Sequence, residues 1–187
     1  RSNQYFNLMA GLNDYYGYPN ISKGVQPITR LDYRVSGLAL FSKTKQGERY
    51  LFKQMQQKRI KKRYQILVSG TNHKHCYRVT NRLNATYKAF EDPNGKLAKT
   101  AIVKKHETNK HTLFKVATLT GRRHQIRYHA ATNIAPVVND ELYGYPSKNQ
   151  HNPIGLIATE LTFQWNKQIH KIQLPDQWRS RWINWLK

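Results

Sequence analysis

The chain has 187 residues, 39% of them hydrophobic, with 12 Tyr, 6 Phe and 4 Trp, a composition that excludes a disordered polymer and suffices for one domain with a sizeable core. Against 10 Asp and Glu stand 32 Lys and Arg, a formal charge of +22 and a pI of about 10.2, so polyanions, nucleic acid first, are the expected partners. No stretch is long and apolar enough to span a bilayer, and no long basic amphipathic helix argues for a membrane surface.

The single cysteine, Cys76, excludes an internal disulfide and fits a reducing compartment; with no signal peptide visible, the cytoplasm is the expected location. The chain begins at Arg1 rather than Met and reads as a trimmed piece of something longer. No repeat, low-complexity tract or domain boundary stands out, so a single domain over 1–187 is expected.

In chain order, Phe6, Leu8, Met9 and Leu12 suggest a first helix, and Asn13 to Gly24 reads as loop. Val25 to Thr29 is extended and leads into Arg30-Leu31-Asp32-Tyr33-Arg34-Val35-Ser36-Gly37, after which Leu38 to Phe41 reads as a short buried strand. Thr44 can cap a helix whose apolar face is Leu51, Phe52 and Met55 and which ends near the basic run Lys58 to Arg63. That run suits both a helix C-terminus, where cations complement the dipole, and phosphate contact. Tyr64 to Gly70 is a strand with a glycine stop, and a short strand is expected around Cys76 to Val79. Asp92-Pro93-Asn94-Gly95 is a turn with Asn-Gly suited to positive φ. Leu97 to Lys105 and His111 to Leu119 form an antiparallel pair, and Gly121 opens a helix to Thr132. Ile154 to Gln164 and Gln168 to Leu174 form a second hairpin turning at Asn166-Lys167. Asp176 caps a last helix with Trp178, Trp182, Trp185 and Leu186 on one core-facing side. Strands outnumber helices and hairpins recur, so the fold class is α+β: a mixed, mainly antiparallel sheet with flanking helices.

Few residues can carry chemistry. Asp32 is a lone carboxylate between Arg30 and Arg34, a setting that favours its charged form and suits a nucleophile or an electrostatic anchor; on its own it is more simply a turn residue. Arg127 is by itself one more cation in a basic helix, and Tyr64 one more strand aromatic. His73, His75 and Cys76 hint at a metal, but no second ligand cluster follows at suitable spacing. Glu91-Asp92 and Asp140-Glu141 are sequence neighbours, not a spaced acid pair. There is no glycine-rich phosphate loop. The chemistry is therefore expected to need no metal and no cofactor.

Arg30-Leu31-Asp32 followed by Ser36-Gly37 resembles the catalytic segment of the RluA family of RNA pseudouridine synthases, with Val35 where the family has Thr. Gly121-Arg122-Arg123-His124-Gln125-Ile126-Arg127-Tyr128-His129 is similar to a second segment of that family, with Arg123 in place of Thr. Asn139-Asp140-Glu141-Leu142-Tyr143-Gly144 resembles a third, read as structural, and Gly155 to Phe163 a fourth, with Ile157 where the family often has His. The family's N-terminal Lys-Pro-x-Gly strand and a separate RNA-binding module are not recognisable. The resemblance implies a bent mixed sheet crossed by an RNA cleft, and isomerisation of uridine in rRNA or tRNA with the target base flipped out. It implies Asp32 as the catalytic carboxylate, Arg127 as its paired guanidinium, and Tyr64 as the ring stacked on the base and the proton acceptor. Leu161 is the implied apolar wall of the base pocket. Arg30, Arg34, Lys61, Lys62, Arg63, Arg122, Arg123 and His124 are the expected RNA contacts. A monomer is expected. The alternative is an RNA-binding protein of the same fold without catalysis, motivated by Val35, Arg123 and Ile157.

Overall fold

The computed structural model describes residues 8–18, 24–144 and 152–186; Phe6 and the side chain of Trp185 lie outside the described part. The chain contacts define two compact units, residues 1–30 with 39–59, and residues 31–38 with 60–187.

In the first unit, α1 (Leu8–Tyr15) runs further than the loop expected from Asn13 onward. Asn13 explains the difference. It is buried, donates to the Met9 carbonyl at 2.8 Å and accepts from the Val25 amide at 2.9 Å, so a residue that competes with helices in water has its polar atoms satisfied inside one. In the first unit's two-stranded sheet, β1 (Gln26–Pro27) pairs antiparallel with β3 (Phe41–Ser42). Between them in sequence, β2 (Ser36–Gly37) belongs to the second unit. The single strand expected over Leu38 to Phe41 is therefore two short pairings on either side of half-buried residues. The Thr44 side chain accepts from the Gly47 amide at 3.1 Å and caps α2 (Lys45–Gln56), as expected. Leu51 is buried, but Phe52 is 40% exposed and Gln54 takes its place on the inner face.

In the second unit, the order β10-β9-β4-β8-β7-β5-β6 is built from β4 (Lys61–Ser69), β5 (Cys76–Ala85), β6 (Ala89–Glu91), β7 (Lys96–Glu107), β8 (His111–Thr118), β9 (Leu156–Trp165) and β10 (Gln168–Gln173), with β2 parallel to β9. All other pairings are antiparallel. The basic run does not end a helix: Lys61, Lys62 and Arg63 open β4. β5 is far longer than the stretch around Cys76 to Val79, because eight of its residues pair with β7. The Asp92 turn closes with the Gly95 amide on the Asp92 carbonyl at 2.8 Å, without positive φ at Asn94 or Gly95. Asn166 (φ 47°) and Lys167 (φ 64°) do take positive φ, as a two-residue hairpin requires.

Alternation along β4 divides the core between two faces. Ile66 and Val68 pack with Ile102, Phe114, Val116 and Leu156 against Ile126 and Ala130 of α3 (Gln125–Asn133). On the opposite face Ile157 packs with Trp182 and Leu186 of α4 (Asp176–Trp185). Trp182 is fully buried and donates to the Ile154 carbonyl at 3.2 Å. Trp178 is not core: it is 44% exposed, under the Arg181 guanidinium. Nor does the Asp176 side chain cap α4; it pairs with Arg179 instead.

Candidate active site

The Asp32 segment is held at both ends. At its start the Val35 amide donates to the Asp32 carbonyl at 3.0 Å, closing a turn in which Arg34 has φ 67°, a conformation that glycine or asparagine usually fills. Arg34 tolerates it because its side chain is clamped. Its Nε donates to the Asn152 carbonyl at 2.6 Å, and its Nη1 lies 3.4 Å from Glu141. Only 11% of that side chain is exposed, so Arg34 fastens the loop instead of presenting a cation for RNA. At the far end Gly37 has φ 109°, and a Cβ there would lie 2.2 Å from the Ala158 carbonyl oxygen. The glycine lets β2 lie directly on β9. Val35 packs against the α3-side core, an apolar setting that a hydroxyl would not improve.

A second loop leads into α3. The Gln125 side chain is its hub: it accepts from Thr120 Oγ1 at 2.8 Å and the Arg122 amide at 3.0 Å, and donates to the Lys99 carbonyl at 3.0 Å and Thr100 Oγ1 at 2.9 Å. α3 accordingly starts at Gln125 and not at Gly121, and His124 is its N-cap, at φ 53°. One turn on, the buried Arg127 faces the buried Asp140, with Nε and Nη2 each donating at 2.7 Å to the two carboxylate oxygens. The guanidinium thus has a hydrogen-bonded partner that was not expected, Asp140, while the Asp32 carboxylate acts on it through space. The Arg127 guanidinium also lies 5.3 Å from the centre of the Tyr143 ring. The Tyr143 hydroxyl accepts from the Ala89 amide at 2.5 Å and meets His124 Nδ1 at 3.2 Å. Gln125, Asp140 and Tyr143 were not assigned to the site from sequence; the Asp-x-x-Tyr-Gly match was the available signal for the last two.

Asp32, half-buried, is close enough to Tyr64, His124, Arg127 and Tyr143 to act electrostatically on all four. Tyr64 is pushed up to about 12, by burial first and by the Asp32 carboxylate second. The neighbouring charge thus works against phenolate, contrary to the help a proton acceptor needs. Burial, with Arg127 and Arg123, holds His124 below its ordinary value, so its ring is neutral at pH 7. Tyr64 shares its face of β4 with Lys62, whose cross-strand neighbour on β9 is the buried Leu161. The Lys62 ammonium reaches the Gly121 loop, 3.2 Å from where a Gly121 Cβ would stand, and burial lowers its pKa. Arg122 Nε is engaged by the Leu97 carbonyl at 3.0 Å, and Arg123 is exposed. Lys61 and Arg63 lie on the opposite face of the strand. Arg30 is exposed in the first unit. Ile157, where the family often has His, is buried against Trp182 on the face away from Tyr64. Among the described residues no group of three or more His, Cys, Asp or Glu side chains could hold a metal ion, and no helix is long and apolar enough to cross a membrane.

One folded unit thus groups the Asp32 carboxylate with a fixed guanidinium and a partly buried phenol, on a strongly basic chain suited to a polyanionic partner. The family model described as RNA pseudouridylate synthase matches residues 8–132. The chain is 32% identical over 168 residues to the dual-specificity RNA pseudouridine synthase RluA of Vibrio cholerae serotype O1, covering 85% of this chain and 65% of that protein. It is 34% identical over 137 residues to the ribosomal large subunit pseudouridine synthase C of Buchnera aphidicola subsp. Baizongia pistaciae, covering 67% and 43%. The structure of human RNA pseudouridylate synthase domain containing 1 superposes with a TM-score of 0.72 at 21% identity, over 89% of this chain and 74% of that one. This chain belongs to the RNA pseudouridine synthase family, in its RluA branch. It spans between two fifths and two thirds of the length of these two curated relatives.

Proposed function

We propose that this protein isomerises uridine in structured RNA to pseudouridine. The observation that carries the reading is the electrostatic grouping of Asp32 with Tyr64 and Arg127, in a chain that matches the family over both loops that supply Asp32 and Arg127. The target nucleoside is drawn out of its stack, at a cost of a few kcal/mol, with phosphates held by the surrounding cations. Arg30, two residues before Asp32, supports the vacated position in the RNA. Lys62, Arg122, Arg123 and His124 are the RNA contacts on the Tyr64 side, and Leu161 backs the uracil.

The isomerisation breaks the C1′–N1 bond, forms a C1′–C5 bond, and moves one proton from C5 to the ring nitrogen released. Asp32 acts on the uridine to release uracil, and uracil turns before C5 joins C1′. Arg127, neutralised as a pair by Asp140 and rigid because bidentate, fixes the field in which Asp32 works without quenching its charge. Tyr64 stacks on the base and takes the C5 proton. Its raised pKa makes it a poor acceptor while Asp32 is anionic. If the carboxylate is consumed by bonding to the sugar, the Asp32 contribution vanishes and the phenol becomes more acidic, so proton removal is favoured only after Asp32 has reacted.

The RNA is ribosomal or transfer RNA, the first being the kind of target that one relative's name carries, and the location is cytoplasmic. The test is to map pseudouridine in RNA from cells with and without the protein, and to measure tritium release from uridine C5 in that RNA with purified wild type and Asp32→Asn. One or more sites should disappear without the protein, and Asp32→Asn should release no tritium above background. Tight, salt-sensitive RNA binding with no product would instead identify a binding protein of the same fold. Val35 and Ile157, two of the departures that motivated that alternative, sit in apolar packing, and only Arg123 lies beside His124.

A further inference from the structure

The face of the sheet opposite Tyr64 carries a hollow that the chemistry above does not use. Its floor is a cross-strand row, Ala101 on β7, Ala117 on β8 and Arg63 on β4, with Glu160 next on β9. The next row holds Val103, Lys115 and Gln65. Two successive alanines in a sheet row leave space that larger side chains would fill. The result is a concavity of about 550 Å³, bordered by Leu174 and by Arg179 of α4.

The lining is cationic. Arg63, Lys115, Lys171 and Arg179 line it, and Glu160 is its acid. That acid is already taken: Lys171 lies 3.1 Å away and Arg63 acts on it as well. Lys105, at the bulge in β7, adds a fifth cation, and burial, Arg179 and Lys115 all weigh against its charge. Arg179 binds Asp176 through Nη2 while its Nε is buried without a hydrogen-bond partner. Mutually repelling cations around a polar hollow, with one buried donor unsatisfied, cost stability that a bound polyanion would restore. Being concave, the site does not suit the plane of a membrane. Its floor of alanine and glutamine offers no aromatic anchor for a peptide.

We propose that this hollow is a second RNA-backbone site, which holds phosphates of the same RNA away from the target uridine. The proposal rests on the reading of the chain as an RNA-modifying enzyme. The two faces are separated by one sheet, so a strand of RNA passing the β10 edge can touch both.

The test uses a 30-nucleotide oligouridylate as probe, with anisotropy titrations over a range of salt. Lys105→Gln/Lys115→Gln/Lys171→Gln is compared with a matched triple at exposed lysines elsewhere, Lys53→Gln/Lys74→Gln/Lys88→Gln. The hollow triple is expected to bind about tenfold more weakly and to lose about 2 from the slope of log K against log salt, the value for three phosphate contacts on a single strand. The matched triple should lose less than about threefold. Crosslinks from 4-thiouridine in wild type should fall on peptides of β8, β10 and α4. Equal losses in the two triples, or crosslinks confined to the Tyr64 face, would overturn the second site while leaving the enzyme reading intact. Wild type that fails to bind the probe at all would likewise overturn the second site, whereas the enzyme reading falls only if wild type releases no tritium from the RNA of the mapping experiment.

Discussion

Arg127 and Asp140, 13 residues apart, form a two-point ion pair with both hydrogen bonds at 2.7 Å and neither side chain more than 9% exposed. The pair ties the first turn of α3 to the loop that follows it and aims the guanidinium, on which Asp32 also acts through space. Removing one member of a buried pair strands the other charge, which costs about 3–5 kcal/mol. Asp140→Ala should therefore lose about that much in denaturant unfolding. Its pseudouridine formation should fall even at temperatures where it stays folded. An Asp140→Ala protein as stable as wild type would show the pair to be solvated.

Gly37 should tolerate no side chain. Its φ of 109° is unfavourable for any L residue, and the 2.2 Å approach of a Cβ to the Ala158 carbonyl would prise β2 from β9. Gly37→Ala is expected to cost about 2–3 kcal/mol or more. Because β2 follows the Asp32 turn directly, turnover should fall more than RNA affinity does.

Tyr64 is the group whose titration reports on Asp32. Burial and then the Asp32 carboxylate push the phenol up to about 12. Neutralising the carboxylate removes one of those causes, so in Asp32→Asn the phenol must titrate at lower pH than in wild type. Carbon NMR of ring-labelled tyrosine will read the shift. An unchanged or higher midpoint would mean that the two groups do not face one another. Tyr64→Phe keeps the ring and loses the hydroxyl; binding should stay within about threefold, while tritium release should fall by about two orders of magnitude, the scale of a lost acid–base group.

His129 makes stability depend on pH. It is fully buried, its ring nitrogens meeting Thr100 Oγ1 at 2.8 Å and Asn81 Oδ1 at 2.9 Å, and burial lowers its pKa to about 4. The unfolded chain binds a proton at this site near pH ~6.5, and the folded chain does so only near 4. The contribution is fully present above the unfolded value and is lost as pH falls from there toward 4. The loss amounts to about 3 kcal/mol. His129→Gln should flatten that part of the stability profile; a profile that keeps its full slope would assign the acid sensitivity to another group.

Much of the fold was legible because its signals are local. The β7–β8 and β9–β10 hairpins, the Thr44 cap and the Asn166-Lys167 turn each depend on residues a few positions apart. Lys61 to Arg63 misled, because a basic run satisfies a helix end and a strand start equally well. Only pairing with β8 and β9 made it a strand. Trp178 misled because helical spacing says which side chains align, not how far along the helix the partner surface extends.

The chain's own order of residues determined its basic character, its α+β class and the two loops that carry Asp32 and Arg127, since charge, periodicity and short motifs are properties of neighbours. Tertiary structure decided which carboxylate Arg127 holds, which side of β4 Lys62 and Arg63 each present, and whether the charge near Tyr64 favours or opposes its ionisation. Those outcomes depend on burial and on through-space distance between segments about a hundred residues apart, as Asp32 and Arg127 are, and no local pattern encodes either quantity.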